Sequence, residues 1–165
     1  MAIKTAKTFE THIDFKESMR VQEIAIINQQ LADTFDLYSQ IKQAHWNVKG
    51  KDFFQLHELF DELAAEVLAF VDLIAERATI LGGTALGTAR MAASASTLPE
   101  YPDDVVDGPD HVANLVHRYG RYAATTREAI VKTDDLGDPT TADLFTEVSR
   151  TIDKQLWFLE AHLQS

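Results

Sequence analysis

The segment HELFDELAAEVLAFVDLIAE, residues 57–76, carries most of the information about the fold. Its apolar residues recur mainly three and four positions apart, which is typical of an amphipathic helix. The same helix carries two pairs of metal-ligand residues, His57 with Asp61 and Asp72 with Glu76, each spaced i, i+4. All four lie within about 100° of one helix face, but roughly 28 Å of helix separates His57 from Glu76. A single copy of this helix therefore cannot bring both pairs to one metal ion.

A second copy of the same helix removes this difficulty. The residue numbers of His57 and Glu76 add up to the same total as those of Asp61 and Asp72. If the helix packs antiparallel on its copy across a two-fold axis, His57 faces Glu76 and Asp61 faces Asp72, as an isologous interface allows. The alternative is an ordinary solvated helix face. Against that alternative, the face also carries small or apolar residues that permit close helix approach: Ala64, Ala65, Leu68 and Ala75.

Composition limits the class of protein. The 165 residues form one domain, with 45% hydrophobic and 25% charged residues and a net charge of −11. Such a charge argues against a generally basic nucleic-acid surface and favours attraction of cations. The absence of cysteine excludes disulfides and thiolate sites. The N-terminal sequence MAIKTAKTFE lacks the apolar stretch of a secretory signal, and no run is long enough to span a membrane, so we expect a cytoplasmic location.

Helical periodicity covers most of the chain. It predicts four long helices, over about 18–47, 52–81, 109–137 and from 138 almost to the C-terminus. Residues 1–17 are expected to be a short N-terminal tail, and 18–165 the bundle domain. The long connection 84–107 contains MAASAS, which is expected to form a short extra helix. No segment has the alternation of a strand. The sequence predicts an all-α, ferritin-like four-helix bundle with a long crossover between the second and third helices.

A third imidazole extends the candidate metal site. His45 is near the end of the first predicted helix, and a short turn should bring it close to His57. The set is then His45, His57 and Asp61 from one subunit with Asp72 and Glu76 from the other. Such ligands suit iron, zinc or manganese. The Glu-x-x-His motif of an ordinary di-iron bundle is absent, so an iron site here must be built differently.

Three stretches of the chain resemble the Dps family, the mini-ferritins also called DNA-binding proteins from starved cells. They are HWNVKGKDFFQLH at 45–57, FVDLIAERATILGG at 70–83 and LWFLEAHL at 156–163, and the resemblance covers roughly residues 18–165. It implies a hollow shell of twelve identical subunits with ferroxidase sites at its two-fold interfaces. The same five ligands would bind iron there. Ferrous iron would be oxidised, preferentially by hydrogen peroxide rather than dioxygen, and stored as ferric mineral.

Lys42 and Trp46 lie close in sequence to the expected ligand His45, and Trp157 lies in the last predicted helix. The resemblance implies that Trp46 intercepts stray oxidising equivalents beside the irons; the alternative for Trp46 and for Trp157 is a core aromatic. Lys42 lies one helical turn before Trp46 and is expected to support a site carboxylate, or else to be an exposed lysine.

Further acidic residues are assigned by the same resemblance. Glu58 and Glu62 would seed ferric mineral on the inner surface, although ordinary solvated glutamates would look the same. Asp134, Asp138 and Asp143 would line three-fold pores through which iron enters. The alternative for Asp138 is a helix N-cap before Pro139. The remaining histidines have no partner at ligand spacing and are expected to be structural or exposed: His12, His111, His117 and His162.

DNA binding is not supported by the charges near the N-terminus. The first twenty residues have a net charge of +1, because Lys4, Lys7, Lys16 and Arg20 are opposed by Glu10, Asp14 and Glu17. We expect weak or no duplex binding, since several phosphate contacts are needed to outweigh an acidic shell. Two alternatives stay open. One is a nucleoid-associated, DNA-protecting structural protein with secondary iron binding, and the other is a helical assembly protein without metal.

Overall fold

The computed structural model describes residues 7–164, and within this range the chain is helical without a β-strand. The predicted all-α, ferritin-like four-helix bundle is confirmed. The short helix in the crossover is also present, at 89–95 where the sequence suggested 91–96. The helices are α1 (Glu17–Asn47), α2 (Phe53–Ile80), α3 (Ala89–Ala95), α4 (Gly108–Asp135) and α5 (Pro139–Ala161).

The core is a single apolar cluster between the four long helices. The short turn at Gly50, whose φ of +106° favours glycine, joins α1 to α2, so that these helices form one hairpin. Each fully buried leucine, isoleucine or phenylalanine contributes about 1.5–3 kcal/mol of transfer free energy. The largest side chains with almost no exposed surface are Phe60, Tyr119, Tyr122, Phe145, Ile27, Leu31, Leu37, Ile41, Ile74, Leu81, Leu115 and Ile152.

Part of the expected N-terminal tail is bonded to the body of the subunit. The amide of Phe9 donates to the carbonyl of Gly82 at 2.7 Å, and the Thr84 hydroxyl donates to the carbonyl of Lys7 at 2.9 Å. Gly82 has a φ of +80°, and a Cβ there would lie 2.5 Å from the Phe9 carbonyl oxygen. Residues 7–9 are therefore held against the segment after α2, while the division into an N-terminal tail and a bundle domain stays a prediction. Lys4 lies outside the described residues.

Polar contacts from α1 hold the long crossover. The carboxylate of Asp33 accepts hydrogen bonds from the amide of Thr97 at 2.6 Å and from its hydroxyl at 3.1 Å. Asn28 donates to the carbonyl of Thr84 and accepts from the amide of Leu86. These bonds fix the route of the connection from α2 to α4. No helix in residues 7–164 is long and apolar enough to cross a membrane.

Candidate metal centre

The two histidines at the α1–α2 turn form a reciprocal pair. Their rings stack with centroids 3.8 Å apart and planes 22° from parallel. Nδ1 of His45 lies 2.8 Å from the carbonyl oxygen of His57, and Nδ1 of His57 lies 2.9 Å from the carbonyl oxygen of His45. Because a carbonyl oxygen only accepts, each Nδ1 carries the hydrogen. In the neutral imidazole, Nε2 then keeps the lone pair through which histidine binds a metal.

Asp61 lies beside this pair and is held by a lysine. Its Oδ1 is 3.8 Å from Nε2 of His45 and accepts a hydrogen bond from Nζ of Lys42 at 2.5 Å. The hydrogen bond from Lys42 lowers the pKa of Asp61, and the nearby histidines add to this effect. The carboxylate is therefore ionised at neutral pH. Lys42 is thus placed where the sequence suggested, with its ammonium on a site carboxylate.

Asp72 and Glu76 are exposed residues further along α2. Within residues 7–164 of one subunit, no three histidine or carboxylate side chains come close enough to hold a metal ion. One subunit therefore brings His45, His57 and Asp61 to the same end of the bundle but not the second carboxylate pair. Completion of the site by a partner subunit stays a prediction.

Several large hydrophobic side chains of α1 and α2 are exposed in one subunit, and so is Ala65. Ala64, which was expected on this surface, is instead buried in the subunit core, and Ala75 is half-buried against it. Exposed apolar side chains in this number favour an interaction surface along the two helices. They are Trp46, Phe53, Phe54, Leu68, Leu73 and Ile80.

Neither tryptophan belongs to the core, so the core-aromatic alternative is wrong for both. Trp46 is 66% exposed and Trp157 is 60% exposed. The ammonium of Lys42, which holds Asp61, lies 5.7 Å from the ring centroid of Trp46. Trp46 also follows His45 directly in the sequence. Trp157 packs on Phe158, 5.1 Å between centroids, on α5.

The acidic row on α2 extends one residue beyond the two glutamates assigned from sequence. Glu58 and Glu62 are exposed and available on the subunit surface. Glu66 continues the i, i+4 row, and its Oε2 accepts from Nε2 of Gln155 at 2.6 Å. The Tyr119 hydroxyl donates to Oε1 of Gln155 at 2.8 Å, so Glu66 is connected to the centre of the bundle. The spacing alone would have shown the row but not this connection.

The proposed pore aspartates have different environments. Asp134 and Asp143 are exposed, whereas Asp138 has no exposed surface. The Asp138 carboxylate caps α5 by accepting from the amides of Thr140 and Thr141, and it forms a 2.7 Å ion pair with Arg77. The N-cap alternative is therefore correct for Asp138, and a side chain so enclosed does not line a pore.

The other histidines have no metal-binding neighbours in the described part of the chain. His111 is buried and bonds through Nδ1 to the Tyr101 hydroxyl at 2.7 Å, while burial lowers its pKa. His12 and His117 are exposed, and Nδ1 of the exposed His162 lies 2.7 Å from the Phe158 carbonyl oxygen.

The chain is similar to proteins of one family throughout its length. The ferritin-like domain family matches residues 24–165. A curated relative, the DNA protection during starvation protein of Agrobacterium fabrum, is 46% identical over 158 residues, which cover 96% of this chain and 98% of the relative. The DNA protection during starvation protein 1 of Deinococcus radiodurans is 35% identical over 91% of this chain and 72% of its own length.

Solved structures agree with the sequence matches. DpsC from Streptomyces coelicolor superposes with a TM-score of 0.93 at 32% identity, covering all of this chain and 96% of DpsC. The Dps protein of Vibrio cholerae O1 superposes with a TM-score of 0.88 at 25% identity over 93% of this chain and 96% of its own. That protein is described as a member of a broad superfamily of ferritin-like diiron-carboxylate proteins. From the matched domain, the relatives and the shared bundle, the chain belongs to the Dps family of ferritin-like proteins.

Proposed function

We propose that this protein is an iron-storing ferroxidase that forms a shell of twelve identical subunits. Family membership supports iron storage and ferroxidase activity in general terms. The finer proposal is that ferrous iron is oxidised at sites shared across two-fold interfaces, preferentially with hydrogen peroxide, and that ferric mineral collects inside the shell. The proposed location is the cytoplasm.

The observation that carries this proposal is the reciprocal histidine pair. The bonds from each Nδ1 to the opposite backbone carbonyl orient both rings and leave both Nε2 atoms free for iron, beside the ionised Asp61. Two buried or half-buried imidazoles prepared in this way have no use in a solvated helix face. Asp72 and Glu76 of the partner subunit would add two carboxylates, giving a mixed nitrogen and oxygen set that suits iron in both oxidation states.

Lys42 sets the condition under which iron is bound. Its ammonium holds Asp61, so an incoming ferrous ion must displace the lysine from the carboxylate. Asp61 needs no deprotonation at that moment, because its pKa is already lowered. The displaced ammonium stays near Trp46, over whose ring it already lies. Lys42 thus keeps Asp61 ionised and oriented while making the site selective for a doubly charged competitor.

The stoichiometry of the reaction explains why two irons at one interface are useful. Each ferrous ion gives up one electron, and hydrogen peroxide takes two electrons and two protons to become two waters. Paired oxidation therefore releases no hydroxyl radical. Where only one iron delivers an electron to peroxide, the exposed indole of Trp46 is positioned to supply the second electron and so reduce the hydroxyl radical to hydroxide. We expect Trp46→Phe to increase radical release without preventing ferrous oxidation.

The remaining acidic residues would serve transfer and storage. Glu58 and Glu62 offer exposed carboxylates for ferric nucleation, and Asp134 and Asp143 offer charge at the expected pore. The net charge of −11 per subunit attracts cations to the assembly as a whole.

The direct test is the absorbance change on oxidation of ferrous iron, with peroxide under anaerobic conditions and with dioxygen. We expect rapid oxidation by peroxide and loss of the rapid phase in His57→Ala, with Glu147→Ala on the exposed face of α5 as a control that keeps it. Anomalous scattering at the iron edge from crystals soaked in ferrous salt should place iron between His57 and the partner subunit. Absence of both activity and bound iron would favour an assembly protein without metal.

A second candidate function is DNA protection by a nucleoid-associated protein. It is favoured by the relatives named for DNA protection during starvation. Gel retardation of plasmid at low and physiological salt separates the two candidates, because binding through phosphate contacts weakens steeply with salt.

A further inference from the structure

One carboxyl group in the core has no function in the proposed ferroxidase. Glu23 on α1 has no exposed surface, and among residues 7–164 neither of its carboxyl oxygens has a hydrogen-bond partner. Burying an ionised carboxylate in this way is far more costly than burying a neutral acid. Buried polar groups in native proteins are nearly always satisfied, so the state of Glu23 needs a physical explanation.

Three groups near Glu23, namely Arg77, Asp138 and Thr141, are bonded to one another, whereas the buried Nε of Arg20 has no partner among residues 7–164. From α2, Arg77 donates through Nη2 to Asp138 at 2.7 Å and through Nε to the Thr141 hydroxyl oxygen at 2.8 Å. From the start of α5, the Thr141 hydroxyl donates to Asp138 at 2.6 Å. On α1 itself, Arg20 lies one turn before Glu23 and donates through Nη1 to the Leu81 carbonyl at 2.9 Å.

The Arg77 guanidinium acts on two buried carboxyl groups, and it is paired with Asp138. Burial is the largest influence on Glu23 and the negative charge of Asp138 is the second. Together they raise the pKa of Glu23 to about 7, although the positive charge of Arg77 acts in the opposite direction. Asp138 behaves in the opposite way. Burial raises its pKa, but the hydrogen bonds from Thr141 and the pairing with Arg77 outweigh burial and lower it. Of the two neighbouring carboxyl groups, Glu23 therefore holds its proton more tightly than Asp138.

We propose that Glu23 is a neutral carboxylic acid in the folded subunit at slightly acidic pH, and that its proton acts as a latch joining α1 to the Arg77–Asp138 pair and the start of α5. The protonated acid gains a hydrogen with which it donates to Asp138 or to the Thr141 oxygen. Loss of the proton places a second negative charge beside Asp138 in a region without solvent. This weakens the contact between α1 and the α4–α5 corner. The latch is independent of iron, although Arg77 follows the expected ligand Glu76 in sequence.

The latch is tested by hydrogen exchange in the assembled protein at pH 6 and pH 8.5. The reporters are the amides of Thr140 and Thr141, which both donate to Asp138 at 3.0 Å. The pKa of Glu23 is 4.5 when the latch is open and about 7 when it is closed. After correction for the intrinsic pH dependence of amide exchange, the equilibrium constant for opening should therefore increase about tenfold between these pH values. Glu23→Gln keeps the shape and the donor of the neutral acid, so its protection should not change with pH. Glu17→Gln, an exposed carboxylate on the same helix, should behave as the wild type.

Protection that is independent of pH in the wild type, or equally dependent on pH in Glu23→Gln, would overturn the latch. Infrared spectroscopy gives a measurement that does not need Glu23→Gln to fold. In wild-type protein with 13C at every glutamate side-chain carboxyl, a protonated carboxyl band should be present at pH 6 and decrease as the pH passes through about 7. Absence of this band, or its persistence in equally labelled Glu23→Asp protein, would show that Glu23 is ionised or that another glutamate carries the proton.

Discussion

Nζ of Lys42 lies 2.5 Å from Oδ1 of Asp61, so a lysine occupies the carboxylate that is proposed to bind ferrous iron. The pair joins α1 to α2 one helical turn from the stacked histidines. On the proposed assignment, the ammonium and an incoming divalent cation would compete for one oxygen, and the affinity of the metal site would depend on a residue that is not a ligand.

Replacing this lysine should strengthen metal binding. In Lys42→Gln the competing cation is gone, so the affinity for a divalent cation should increase by up to about fivefold. Calorimetric titration of the assembled protein with Co2+ measures this change. Lys51→Gln, an exposed lysine in the α1–α2 turn, controls for net charge and should leave the affinity nearly unchanged. Equal or weaker binding in Lys42→Gln would contradict the competition.

Assembly should be obligatory for this subunit. Its α1–α2 surface exposes large apolar side chains, among them Phe54 at 69% and Leu68 at 44%, and such a surface favours self-association. Light scattering is expected to give a mass near that of twelve subunits. A monodisperse monomer with full ferrous oxidation would refute both the shell and the shared site.

Sharing of the site is tested by mixing two inactive variants. His57→Ala and Glu76→Ala should each abolish rapid ferrous oxidation, because each removes a ligand from every site. At an interface between the two variants, one site loses both ligands and the other regains both. With random mixing, half of the interfaces are of this kind, so about a quarter of the sites should recover. If proven mixing restores no activity, both residues serve a site within one chain.

The buried Arg77–Asp138 pair should contribute strongly to stability. Asp138→Asn keeps an oxygen to cap α5 but leaves Arg77 without its charge partner, which typically costs about 3–5 kcal/mol for a buried pair. Thermal unfolding measures the loss. Because the pKa of Asp138 is lowered on folding, its contribution is present above its unfolded pKa of about 3.9 and decreases as the pH falls below it. In Asp138→Asn, this pH-dependent part of the free energy of unfolding should be absent. If the variant loses stability in acid as the wild type does, another group is responsible for the pH dependence.

DNA binding should be weak at physiological salt. Within the described N-terminal residues, Lys7 and Lys16 are balanced by Glu10 and Asp14, and the backbone at Phe9 is bonded to Gly82 rather than extended from the subunit. Gel retardation of plasmid should therefore show at most salt-sensitive binding. Tight retention at physiological salt would instead support the DNA-protecting candidate.

Local pattern was sufficient for the architecture, and it supplied the residues that are proposed for the site. Periodic apolar positions set the helices within a few residues of their observed ends, because each helix must bury one face. The i, i+4 pairs on α2 and the short turn after His45 identified the residues at the candidate centre, because helix geometry fixes which side chains share a face. The resemblance in the same stretches identified the family, which the comparisons confirm.

Tertiary structure decided everything that depends on contacts between distant segments. The reciprocal bonds of His45 and His57 join two helices through backbone carbonyls, which no residue pattern encodes. Asp138 is buried against Arg77 because of the way α5 meets α2. The sequence alone could therefore not decide whether this aspartate lines a pore or caps a helix. Glu23 looks like any helical glutamate until three elements enclose it. The energies of these groups are set by desolvation and by neighbouring charges, and both exist only once the chain has packed.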